Sequence, residues 1–379
     1  MPEHDGRNAS PETEALTKET GMGHRFMYQN LIDDETVITA TSVEKGFVGA
    51  GVPRVAGAGG SMIFSGAYTG EDQEVYFAEI EAPGDVGSAR FKWRKTSTTT
   101  NGWEASNIPT ALTDIALDSG VKIRFVDGAD SPAFALGDHW QATANRFYSP
   151  RRIYDLDPAT KMRSASPPED PWSLVLDFGA QISPDVFIAH LHNFSPGASL
   201  RIQANRSADW RAPALDERLT WRSDTLIHYF DTTPRSYHHW RLLAEGAADQ
   251  DAYLEVSEIY LGGFFEPADH FWFGNVVGEE SFEETSRTES MAERPVLLNR
   301  GRTITLPYER ISDAQRRAFL AMYRAVKDVD ARRAKPFFAH LDVDDPASIV
   351  LAHLAGGFLP RQIGPDDSSF ELVLRETLA

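Results

Sequence analysis

The chain has 379 residues, 41% hydrophobic and 11% aromatic, which is enough apolar material to fill two or three cores and excludes a disordered chain. A formal net charge of −19, with Lys and Arg scattered among more numerous acids, excludes a nucleic-acid partner and makes an anionic membrane a poor one, because neutralising phosphates needs clustered cations. The absence of cysteine excludes a disulfide framework and thiolate metal sites, so stability must come from packing or from neighbouring subunits.

Residues 1–24, beginning MPEHDGRNASPETEALTKETG, form a polar leader without the apolar core of a secretory signal. Nowhere does the chain offer about 18 consecutive apolar residues, so no membrane span is expected and the protein should be made and assembled in a cytoplasm. NLIDDETVITATS predicts a short strand with Val37 and Ile38 at its apolar centre. The run GFVGAGVPRVAGAGG then predicts a linker or pliant loop. Its Gly49 and Gly51 give only the outline of a dinucleotide loop, since no amphipathic helix comes after them, and that reading is rejected.

From residue 61 to 144 the pattern is β throughout: SMIFSGAYTG, EVYFAEIEA, ARFKWRK, GVKIRFVDG and GDHWQATA, with Asp127-Gly128 and Gly137-Asp138 as turn residues. Between them, TSTTTNGWEASN reads as a hairpin tip or exposed loop. Its Trp103 either touches a partner or folds back onto its own sheet.

A Pro-rich stretch, NRFYSPRRIYDLDPATKMRSASPPEDP, leads into short strands at regular spacing: WSLVLDFG, DVFIAHLH, ASLRIQANRS with Leu200, Ile202 and Ala204 on one face, TLIHYFD, YHHWRLLAE and YLEVSEIYLG. Short strands punctuated by Pro, Gly, Asn and Asp predict a β-sandwich over 145–263, sharing its fold with 25–60. From 264 the pattern changes. Ser312 with Gln315 is a capping box, and Phe319, Met322, Tyr323 and Val326 repeat on one helical face, so a helix packs on the strands of an α+β domain spanning 264–379. The expected fold class is therefore mainly β: sandwiches in several domains, with one helix in the last.

The middle module resembles the discoidin or coagulation-factor type C family, a jelly-roll sandwich that includes many galactose-type carbohydrate-binding modules. The likeness rests on YDLDPATKMRS, similar to that family's Asp-Gly-Asp-x-x-Thr-x-Trp-x-Ser loop, on WSLVLDFG, on HHWRLL and on the closing EVSEIYLGG. The loop differs at Leu156, where the family has Gly, and at Met162, where it has Trp. NLIDDETVITATS is similar to the family's first strand, yet the Asp-rich loop arrives only after residues 61–144, which implies a small β domain inserted into the sandwich. The whole also resembles virion structural proteins of tailed bacteriophages, through GSARFKW, GVKIRFVDG, GDHWQATA, PFFAHLD and FELVLRE.

If the sandwich closes as in that family, Asp155, Asp157, Thr160 and Glu258 offer hard oxygen ligands for Ca²⁺; the bland alternative is an Asp turn held by its own backbone. His190 and His192 share a strand face and, with His238 and His239, sketch a zinc site, against ordinary hydrogen-bonded histidines. Among the aromatic residues, Trp172 and Trp240 fall on strands that should bury them. Tyr253 is a further candidate for a sugar platform, and Trp210 and Trp221, in a loop-rich segment, are better ones for contact with a glycan or partner. Neither a G-x-S-x-G elbow nor an H-E-x-x-H helix is present, and Glu279, Glu280, Glu283 and Glu284 read as a solvated acidic face.

What the resemblances imply is a non-enzymatic structural subunit of a bacteriophage tail, tail-tip or baseplate, assembled with copies of itself and other tail proteins and located in the virion. The alternative is an adhesin whose discoidin-like loops hold a host-surface glycan, with no cofactor beyond the calcium ion.

Overall fold

The computed structural model describes residues 23–55, 59–70, 72–98, 102–230, 236–247, 253–268, 276–287, 293–328 and 333–377. Among these the chain is mostly β, in several antiparallel sheets, with one α-helix. It divides into two compact units, one mainly Met27–Phe264 and the other mainly Phe265–Ala334 with Phe338–Glu376. No helix among the described residues is long and apolar enough to cross a membrane.

The first unit contains the sandwich. One sheet orders its strands Leu215–Arg218, Ser199–Asn205, Tyr237–Glu245, Trp172–Ile182 and Val37–Ala40. Period-two alternation puts Leu174, Leu176, Leu200, Ile202, Ala204, Trp240 and Leu242 on its inner face, and the register sets Leu176 opposite Trp240 and Ile202 opposite Leu242. Phe187, Ala189, Leu226, Ile259 and Leu261 close the same core from Val186–His190, Thr225–Tyr229 and Glu258–Phe265. Each large side chain so buried contributes roughly 1.5–3 kcal/mol. Trp172 and Trp240 are core residues, as their strand positions predict, and the Trp172 indole N–H donates to the Ser42 carbonyl at 3.2 Å. Val37 departs from expectation: it is exposed at the sheet edge while Ile38 faces the core, because alternation allows only one of two adjacent residues inside.

Within the first unit a further sheet, of nine strands among the described residues, packs around a second core that includes Tyr76, Phe91, Phe125, Phe134 and Trp140. The run expected to be a linker is part of it. Gly46–Val48 and Val52–Val55 are strands that pair with His139–Asn145. Glycine serves close approach here, not slack: a Cβ on Gly46 would stand 2.6 Å from the Asn145 carbonyl oxygen and 2.8 Å from that of Tyr68. Phe47 lies opposite Asn145 and Val48 opposite Ala144, so a strand that enters this sheet runs beside the one that leaves it.

In the second unit the sheet runs Phe337–His340, Ile349–Ala355, Asp367–Glu376, Glu293–Ser312, Val276–Arg287. The helix Asp313–Val326 begins where the sequence places it, with the Ser312 hydroxyl accepting from the Gln315 N–H at 3.3 Å. Its buried residues are Gln315, Phe319, Met322 and Val326, and the Phe319 ring meets Tyr308 and Phe370 at 4.8 Å between centroids. The side chains of Glu279, Glu280, Glu283 and Glu284, the leader through residue 22 and Asn101 lie outside the described residues.

Candidate ligand groove on the first unit

The site grows from two short pieces of the sandwich. The first is a 3-10 turn, Pro150–Ile153, capped by Ser149, whose hydroxyl accepts from the Arg151 N–H; buried Pro150 and Ile153 fix it to the core. The second is a two-stranded ribbon in which Met162 lies opposite Val256 and Arg163 opposite Glu255. Alternation decides the chemistry: Met162 and Val256 enter the core, and Arg163 and Glu255 turn the other way.

Outside, the Arg163 guanidinium sits between two phenol rings, 3.7 Å from the Tyr148 centroid and 3.9 Å from the Tyr253 centroid. Its Nε donates to Glu255 Oε1 at 2.7 Å and its Nη2 to the same oxygen at 2.5 Å, while Nη1 reaches Glu44 at 3.4 Å. Burial opposes the charge, but Glu255, helped by Tyr148 and Glu44, outweighs it and the Arg163 pKa rises. Lys161 Nζ takes the other Glu255 oxygen at 3.2 Å. Asn193 fixes this wall, since its amide donates to the Tyr253 carbonyl at 3.0 Å and its oxygen accepts from the Glu255 N–H at 2.6 Å.

Tyr148, Lys161, Arg163, Tyr253 and Glu255 line a groove of about 550 Å³ together with Phe147, Arg152, Ala159 and Thr160. Phe147, at the rim, is 58% exposed and stacks on Phe47, itself 49% exposed, with centroids 5.6 Å apart and planes 27° from parallel. A groove with an exposed aromatic face, ordered phenols and fixed charges can hold a ligand that is apolar on one face and polar at its edges.

The tryptophans singled out from sequence lie elsewhere. Lys92 Nζ and the Arg94 guanidinium cover the Trp103 ring at 4.2 and 5.5 Å, so that side chain lies back on its own sheet. Arg241 stacks over Trp210 at 4.4 Å. Trp221 packs against the sandwich core and donates its N–H to the Phe194 carbonyl at 2.8 Å. None of the three lines the groove.

Thr160 connects the groove to the Asp-rich loop. Asp155 Oδ2 accepts from the Thr160 hydroxyl at 2.8 Å and from Arg152 at 3.2 Å, its Oδ1 accepts from the Asp157 N–H at 3.1 Å, and Asp157 Oδ1 accepts from the Ala159 N–H at 3.1 Å. These bonds make the Asp turn that composition alone suggests. Leu156 takes a φ of 60°, the left-handed conformation that explains glycine at this place in the resembled family. Glu258 is different. It is fully buried, and burial, followed by the charge of Asp155 and a hydrogen bond shared with it, pushes its pKa up to about 9, offset only in part by the Asp157 and Leu156 N–H groups. A buried carboxyl group beside a second one offers hard oxygen ligands of the kind a hard cation takes. Side chains alone do not complete a shell, because among the described residues no group of three or more His, Asp or Glu converges to hold a metal.

The histidines are occupied separately. His190 Nδ1 bonds the Thr225 hydroxyl at 2.8 Å, whereas His192 stacks on Phe194 and its Nδ1 accepts from the Phe194 N–H at 3.2 Å. His239 Nδ1 lies 3.6 Å from Asp177, and its ring centroid is 6.2 Å from that of His238.

No protein-family model matches the chain, and no curated protein matches it. Among solved structures it is similar to a GH29 fucosidase of Ruminococcus gnavus in complex with fucose, with 10% identity and a TM-score of 0.26 over 31% of this chain and 23% of that one. It is also similar to chitosan-binding module 2 of a Paenibacillus sp. IK-5 chitosanase/glucanase in complex with chitotriose, with 16% identity and a TM-score of 0.26 over 31% of this chain and 89% of the module. A third is CpGH89CBM32-5 of Clostridium perfringens in complex with GalNAc-β-1,3-galactose, at 12% identity and a TM-score of 0.24 over 30% and 81% of the two chains. The chain spans less than a quarter of the fucosidase. At such scores the likenesses assign neither a family nor a ligand.

Proposed function

We propose that the sandwich of the first unit is a carbohydrate-binding module that holds a glycan, without turning it over, in the groove between Phe147 and Tyr253. The observation that carries this reading is the stack Tyr148–Arg163–Tyr253 beside the exposed Phe147 ring in one groove. Pyranose rings have an apolar C–H face that lies on aromatic surface and an edge of hydroxyls that bond to fixed charged groups. Glu255, the carboxylate lining the groove, has both oxygens engaged by Arg163 and Lys161, which suits it to holding the wall in shape and not to acid–base chemistry. A calcium ion would be held at Glu258 and Asp155, where it would neutralise two facing carboxylates and stiffen the loop whose Thr160 lines the groove. The tail-assembly role expected from the sequence has no such geometry behind it.

A glycan array probed with the full chain tests the reading. The glycans retained by the wild type should be lost by Phe147→Ala and by Tyr253→Ala, and kept by Trp210→Ala. Loss on Trp210→Ala, with the two groove variants still binding, would move the site to the loop favoured by sequence.

A further inference from the structure

The groove is charged in the opposite sense to the rest of the molecule. Three cations, Arg152, Lys161 and Arg163, line it against one carboxylate, Glu255, in a chain whose net charge is −19. Their tasks differ. Arg163 is clamped between the phenols and onto Glu255, with its side chain 19% exposed, and acts as a positioning residue. Arg152 and Lys161 have side chains 37% exposed and each makes one ion pair, so both retain N–H groups that can turn toward an incoming anion. Glu44 and Asp155, the other carboxylates paired with these cations, do not line the groove. Resting on the glycan-binding reading above, we infer that the groove selects acidic oligosaccharides, whose uronate carboxylate is received by Arg152 and Lys161 while a sugar face lies on Phe147. A cationic groove in an acidic protein concentrates such a ligand while the surrounding surface repels it elsewhere. Arg152 supplies the planar fork that matches a carboxylate and Lys161 a mobile point charge.

The experiment is calorimetric titration of the full chain with tetrasaccharides of galacturonate, mannuronate and glucuronate, with their carboxyl-reduced neutral counterparts, and with dextran sulfate. At least one uronate should bind roughly tenfold or more tightly than its neutral counterpart, since a charge-assisted hydrogen bond contributes about 1.5–3 kcal/mol. That preference should shrink with added salt. Arg152→Gln with Lys161→Gln should remove the preference, bringing the acidic form's affinity down to that of its neutral counterpart measured on the same folded variant, whereas Trp210→Ala, outside the groove, should keep it. Equal binding of acidic and neutral forms would overturn this inference and leave the glycan reading standing; binding of no sugar in either set would overturn both. A uronate preference that survives the double variant, or dextran sulfate binding as tight as the best uronate, would also overturn it, the first by removing the site and the second by showing undirected attraction of polyanions.

Discussion

Arg163 and Glu255 stand opposite one another on a two-stranded ribbon, one carboxylate oxygen receiving both Nε and Nη2 of the guanidinium at 2.7 and 2.5 Å, with their side chains only 19% and 10% exposed. The pair joins two stretches of chain 92 residues apart and so closes the groove wall. Removing one member leaves the other charge in a largely dehydrated place, at a cost of up to about 3 kcal/mol. Glu255→Gln should therefore lower the urea midpoint without changing its slope. Arg163→Lys should behave almost as badly, because an ammonium cannot lie flat between Tyr148 and Tyr253. A midpoint unchanged in both variants would show the pair to be ornamental.

His192 makes stability depend on mild acid. Burial lowers its pKa from 6.5 to about 4, with Asp224 opposing the shift. The folded chain thus holds the neutral ring where the unfolded chain would take up a proton. The stabilisation is complete above pH 6.5 and is lost as the pH falls from there toward 4. Over that window the loss is about 3 kcal/mol. Because the raised Glu258 pKa contributes with the opposite sign over the same range, the test is the difference in unfolding free energy between wild type and His192→Gln, which should shift against the wild type by that amount from pH 7 to pH 4.5; a difference that does not change with pH would assign the acid sensitivity to other groups.

Calcium should raise the melting temperature of the wild-type chain, and EDTA should reverse the rise, because a ligand bound only by the folded state stabilises it by mass action. Glu258→Gln should abolish the response while leaving the metal-free protein at least as stable at neutral pH, since it removes an ionisable group that burial disfavours as a charge. Identical melting curves with calcium and with EDTA in the wild type would show that the buried carboxyl is satisfied by its proton.

Much of the scaffold can be read along the chain because the relevant signals are local. Leu200, Ile202 and Ala204 declare one face of a strand by alternation, and Ser312 with Gln315 marks the start of the helix within a single turn. The strand at Gly46–Val48 is hidden, because the same glycines serve a flexible loop and a tight backbone approach, and only the partner strand decides between them. The groove is hidden for a related reason. Tyr148, Arg163, Asn193 and Tyr253 come from separate stretches and meet only when the ribbon forms, so no spacing announces them. The exception is Arg163 beside Met162 and Glu255 beside Val256, where a charge next to a core residue is the one-dimensional trace of a ribbon with a dry side and a wet side. Tryptophan attracted attention through its chemistry alone, and at positions 103 and 210 the folded chain lays a cation over the ring.

Whether sugar binds in this groove is decided most plainly by a crystal structure of the full chain soaked with the tightest-binding oligosaccharide from the titrations. We predict a sugar ring lying on Phe147, with its polar edge toward Lys161, Arg152 and Tyr253. A ligand seated instead beside Trp210, or an empty groove at saturating oligosaccharide, would contradict it.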